Sequence, residues 1–66
     1  MLVERLASRI KALRARRRLS QEALAAKAGI SRGYLARLET GRQDPTVGTV
    51  EKLAKALRVK MTALLK

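Results

Sequence analysis

The chain has 66 residues, 16 of them lysine or arginine and 5 aspartate or glutamate, for a formal charge of +11, and it carries no cysteine and no histidine. So short a chain makes one small domain that buries only about 60% of its unfolded surface. Without those two residue types there is no disulfide, no Cys/His zinc site, no thiol nucleophile and no histidine base. Hydrophobic residues make up 47% and Tyr34 is the sole aromatic, so the core is aliphatic. The excess of cations points to a polyanionic partner, either nucleic acid or an anionic membrane face. No stretch approaches the roughly 20 apolar residues of a membrane span, and Met1 to Ile10 carries Glu4, Arg5 and Arg9 where a signal peptide is apolar, so a cytoplasmic protein is expected.

The apolar spacing is helical throughout and nowhere alternates with period two, which predicts an all-α domain of five helices. The first runs from about Leu2 to Arg17 on the stripe Leu6, Ile10 and Leu13, and ends within Arg16, Arg17 and Arg18, whose charge suits a helix C-terminus. Ser20 caps the second, with Glu22 near its positive end, and Gly29 ends it near Ala28. Ser31 caps the third, which reaches about Thr40, and Ile30 folds back onto Leu35 as a staple before Gly41 stops the helix. Asp44-Pro45-Thr46 forms a turn, with Thr46 capping a fourth helix on Val50, Leu53, Ala54 and Leu57. A short fifth helix, about Met61 to Leu65, closes the core with Leu64 or Leu65. The chain reads as a single domain over residues 1–66, with no internal repeat, linker or low-complexity tract.

The few residues around Gly29 are too few for a wide antiparallel hairpin and suit a helix-turn-helix. Ala25 lets the two helices approach, and Leu24, Ala28, Ile30, Leu35 and Leu38 face inward. The series Gln21, Ala25, Gly29, Ile30, Leu35 and Leu38 resembles the helix-turn-helix of the lambda-repressor and Cro type, the XRE-type family of DNA-binding regulators. Leu38-Glu39, Gly41, Pro45-Thr46 and Leu53 to Leu57 extend the match over some forty-five residues, and Leu13-Arg14 matches the family's opening. The resemblance implies a compact five-helix bundle whose third helix, about residues 31–40, enters the major groove of double-stranded DNA.

With Leu35 and Leu38 inward, the outward face of that helix presents Arg32, Gly33, Ala36 and Arg37. Arginine bonds guanine O6 and N7 in bidentate fashion, worth about 1 to 3 kcal/mol of discrimination. Arg32 and Arg37 are therefore the candidate base-reading side chains, and Gly33, which costs about 0.5 to 1 kcal/mol against alanine in a helix, suggests close approach of backbone to DNA. The resemblance places Arg32, Gly33 and Arg37 at base-reading positions. Ser20 and Gln21 open helix two beside unpaired N–H groups that favour a phosphate oxygen, and the resemblance adds that Gln21 braces the recognition helix. Ser31, Arg17, Arg18, Arg42 and Gln43 flank the groove as candidate DNA-backbone contacts. Tyr34 either donates to a phosphate or packs against helix two, and the sequence does not choose. Glu39 opposes the dipole of helix three and needs a cation close by; Arg14 is the candidate for this structural ion pair, as the resemblance also implies.

One recognition helix reads only a few base pairs, so a two-fold homodimer is expected, formed on or off DNA, with Val59, Met61 or Leu65 as interface candidates. Repression by operator occupancy and activation by touching RNA polymerase are both compatible with such a regulator. An antitoxin that binds a toxin and represses its own operon is the alternative, although no toxin-wrapping segment is evident. Single-stranded RNA binding needs more aromatics than Tyr34 alone, and a membrane-surface helix needs a continuous apolar face with aromatic anchors. No enzyme, cofactor or metal is expected, because Ser8, Ser20 and Ser31 have no histidine partner and the five acids are scattered.

Overall fold

Hydroxyl caps start three of the helices, and a residue in the left-handed conformation ends four of them. A computed structural model describes residues 2–65, with side chains from Glu4 onward. Its helices are α1 (Leu2–Arg16), α2 (Gln21–Ala28), α3 (Arg32–Glu39), α4 (Val47–Leu57) and α5 (Met61–Leu65), with no strand among the described residues. The all-α five-helix expectation therefore holds. Ser20 Oγ accepts from Ala23 N–H at 3.0 Å, Ser31 Oγ from Tyr34 N–H at 3.0 Å and Thr46 Oγ1 from Thr49 N–H at 3.1 Å, each pairing a donor that the first helical turn leaves open.

At the other ends, Gly29 (φ 71°) and Gly41 (φ 76°) take the left-handed conformation, as glycine does at little cost. Arg18 (φ 56°) and Arg58 (φ 58°) do the same without that freedom, at about 1–2 kcal/mol each. In every case the N–H of the following residue returns to a carbonyl five positions back: Leu19 to Arg14, Ile30 to Ala25, Arg42 to Arg37 and Val59 to Ala54, at 2.9–3.1 Å. Helix one thus closes on a Schellman turn at Arg18, and the charge of the arginine run, taken in the sequence as the reason for its end, is the lesser cause.

α1 lies against α3, α4 and α5, α2 against α3 and α4, and α5 packs on α4 as well. Leu6, Ile10, Leu24, Leu35, Leu38, Leu53, Leu57 and Leu64 make the buried centre with Val50 and small alanines between them. Ala25 is buried, as are Leu24 and Ala28 of the same helix. Leu13 and Ile30, expected inside, are half-buried at the margin of this cluster, and Leu64 rather than Leu65 closes the core. α3 spends its Leu35 and Leu38 side on α1 and α2, and its opposite side meets solvent.

Candidate nucleic-acid interface

The solvent side of α3 carries Arg32, Gly33 and Arg37, all exposed, while Ala36 is half-buried. Arg37 Nε donates to Gln43 Oε1 at 3.3 Å, so the loop after α3 holds one of the outward guanidiniums. An added Cβ at Gly33 would lie 3.6 Å from Arg37 Nη1, an ordinary contact with the end of a flexible side chain. The chain's own packing therefore does not require glycine at this position.

Behind this face sits a carboxylate, Glu39, with its side chain 2% exposed. Arg14 grips it as a fork, Nε to Oε2 at 2.7 Å and Nη2 to Oε1 at 3.1 Å, and Gln21 Nε2 donates to Oε1 at 2.9 Å. Arg14 Nη1 also donates to the Leu19 carbonyl at 2.9 Å. One acid thus joins α1, the start of α2 and the end of α3. Its charge is neutralised inside the protein, where it does not oppose an approaching anion, and a bidentate arginine adds directional bonds to the attraction.

Ser20 and Ser31 stand exposed as the caps of α2 and α3, and Gln21 keeps a second amide N–H beyond the one given to Glu39. Arg14, Ser20, Gln21, Glu22 and Arg32 line one open depression between the two helix starts. Tyr34 is half-buried and packs against the core cluster. Arg18 and Arg42 are exposed in the loops after α1 and α3. Arg17 goes elsewhere: its Nε donates to the Leu57 carbonyl at 3.0 Å and its Nη2 to that of Arg58 at 3.4 Å, which ties it to the end of α4 and away from α3.

A helix-turn-helix family model matches residues 10–64. The chain belongs to the helix-turn-helix family. Membership is of the XRE type that the resemblance named, a family of transcription regulators and repressors that bind double-stranded DNA rather than of enzymes. It is 46% identical over 56 residues to the immunity repressor protein of Bacillus phage phi105, covering 85% of this chain and 39% of that protein. It is 49% identical over 47 residues to an uncharacterised helix-turn-helix-type transcriptional regulator of Sinorhizobium fredii, covering 71% of this chain and 61% of the relative. The chain therefore spans less than two thirds of the length of either curated relative. Among solved structures, the restriction-modification controller protein C.AhdI of Aeromonas hydrophila superposes with a TM-score of 0.92 at 32% identity over 94% of each chain. A hypothetical transcription factor from Neisseria superposes with a TM-score of 0.96 at 33% identity over 100% of this chain and 76% of that one.

Three features of this helix-turn-helix surface escaped the sequence reading. The Gln43 to Arg37 bond and the turning of Arg17 toward α4 depend on which loops meet in space, and no local pattern signals either. Val47, 74% exposed at the start of α4, was not among the apolar residues singled out. A residue-by-residue look at the first turn of α4 would have found it, since Val50 and Leu53 already claim the buried face.

Proposed function

We propose that the chain is a sequence-specific double-stranded DNA-binding regulator that acts in the cytoplasm and represses by occupying its operator as a homodimer. The single observation that carries this reading is the exposed face of α3, where Arg32, Gly33 and Arg37 stand together while Glu39, the acid of the same helix, is buried and paired. α3 lies in the major groove, with Arg32 and Arg37 on guanine edges and the backbone at Gly33 close against the bases. Ser20, Gln21 and Ser31 bring the open N–H groups of two helix starts to phosphates, and Arg18, Arg42 and the Tyr34 hydroxyl add further backbone contacts. Gln43 acts chiefly through Arg37, whose guanidinium it steadies.

The homodimer is supported by a mainly apolar cleft of about 210 Å³ lined by Leu6, Pro45, Val47, Val50, Met61 and Leu65, with Asp44 its one charged residue. Val47 at 74% and Leu65 at 43% are the large hydrophobics left exposed there. A two-fold pairing covers the same patch on both copies and sets two recognition helices about 34–36 Å apart along one DNA turn. Of the expected interface residues, Leu65 faces this cleft, Met61 lines it from a half-buried position, and Val59 packs half-buried against the core.

Selection of bound duplexes from a random pool tests the reading, and a palindromic consensus with guanines in each half-site is the expected result. Arg37→Ala then relaxes preference at one base position per half-site, whereas Arg42→Ser weakens binding to all sequences alike. Equal losses for Arg37→Ala on the selected and on random duplexes would refute the assignment of Arg37 to a base.

A further inference from the structure

Three cations that α3 does not use converge on another part of the surface. Arg17 from the end of α1, Lys27 from the last turn of α2 and Arg58 from the end of α4 line a depression of about 190 Å³, with Leu19 and Ala56 as its floor. No carboxylate is among its lining residues. The guanidinium of Arg17 is fixed there by the carbonyls of Leu57 and Arg58. Arg58 occupies a left-handed position (φ 58°) that glycine fills at lower cost, as Gly29 and Gly41 do at the ends of α2 and α3. A cation at a helix C-terminus recovers only about 0.3–1 kcal/mol of that cost.

The depression adjoins the phosphate-facing start of α2 along the chain. Leu19 in its floor is followed directly by Ser20 and Gln21, and the exposed Arg18 stands between the two. Along the chain the cations therefore continue from the α2 start through Arg18 to Arg17, and the depression sets Lys27 and Arg58 beside Arg17. Duplex DNA presents one negative charge per about 1.7 Å of axis, and DNA continuing beyond the outer edge of a half-site is the polyanion such a track meets.

We propose that Arg17, Lys27 and Arg58 form a second phosphate-binding surface, which holds the duplex that flanks the half-site. The inference rests on α3 being the groove-facing helix, because that fixes which end of α2 lies on the DNA backbone. Since these groups touch no base, they add affinity and salt dependence without adding sequence preference.

The test compares two duplexes carrying the consensus selected from the random pool, one ending at its outer base pairs and one continued by about ten base pairs on each side, roughly one helical turn. Intact chain is titrated on both from 50 to 200 mM salt, alongside the double variant Lys27→Gln, Arg58→Gly. That variant leaves the Arg17 cap in place and puts glycine where the backbone favours it, and thermal melting verifies its fold. The wild type binds the long duplex several-fold more tightly, with a salt slope steeper by about 2 per chain, or about 4 for the homodimer, for two phosphates per chain. The double variant loses that gain and matches the wild type on the short duplex. Equal wild-type affinity and slope on both lengths would overturn the proposal, as would a variant weakened equally on both. Poly-glutamate binding that the variant abolishes, with no gain from duplex length, overturns it in favour of an acidic protein partner. Failure of the groove reading is separately visible, as wild type that does not distinguish the short consensus duplex from a scrambled one.

Discussion

Replacing Arg14 by methionine leaves the Glu39 carboxylate buried with only Gln21 bonded to it. Breaking one side of a buried pair costs about 3–5 kcal/mol, because the remaining charge is left uncompensated. Here the cost is reduced, since the Arg14 side chain is 17% exposed and Gln21 keeps its 2.9 Å bond. Allowing for both gives about 2–3 kcal/mol, a large fraction of the roughly 3–10 kcal/mol that a domain this size possesses. At about 4–8 °C per kcal/mol, the melting temperature should fall by about 10–20 °C. Removing the acid as well, in Arg14→Met, Glu39→Met, replaces the pair by apolar volume and should recover about half of the loss or more. The assay is thermal melting by circular dichroism at one fixed protein concentration, so that any self-association enters all variants equally. A fall of less than about 3 °C for Arg14→Met, or a double variant no more stable than the single one, would refute the claim that this carboxylate is held by charge pairing.

Gly33→Ala should raise stability by about 0.5–1 kcal/mol, since the site is helical and its new Cβ meets only the tip of Arg37, yet weaken duplex binding; unchanged affinity in a filter or anisotropy titration would remove the case for close backbone approach. Gly29→Ala should cost about 1–2 kcal/mol by denaturant titration through backbone strain alone, because nothing lies within 4 Å of its Cβ position while φ is +71°; a cost near zero would contradict the left-handed turn. Val47→Ser should shift sedimentation toward monomer and weaken binding to a two-half-site duplex, with a melting change of no more than about 0.5 kcal/mol in free energy, as for an exposed position; an unchanged association state would place the dimer contact elsewhere.

The starts of the helices were legible because their cause is local. A serine or threonine hydroxyl caps the N–H two or three residues ahead of it, and Ser20, Ser31 and Thr46 do so. Ends at Gly29 and Gly41 were legible for the same reason. The ends of α1 and α4 were also placed, within Arg16 to Arg18 and near Leu57, but their left-handed form was not legible, because nothing in arginine's own preferences announces it; the turn forms when the following Leu19 or Val59 is drawn against the core. At the candidate site, the exposure of Arg32, Gly33 and Arg37 follows from the helical period once Leu35 and Leu38 are buried. The destinations of long side chains do not follow, since Arg14 in α1 and Arg17 just past its end lie one turn apart along the chain, yet one reaches α3 and the other α4. Periodicity gives a direction for the stem, and only the assembled bundle decides which acceptor a guanidinium finds.

That division bears on how the surface can work. Arg32, Gly33 and Arg37 lie outside the buried core, so substitutions there alter what α3 presents while changing stability by only about 1 kcal/mol or less in either direction. Bidentate contacts nevertheless demand placement to within about 0.5 Å, and an exposed side chain cannot supply that placement for itself. It comes from the opposite side of the same helix. Leu35 and Leu38 fix how deeply α3 sits, while the Arg14, Gln21 and Glu39 cluster, tied to two other helices, fixes its position along its own axis and its roll. Loss of that cluster should therefore degrade discrimination between duplexes even under conditions where the domain remains folded, although none of its three residues reads a base.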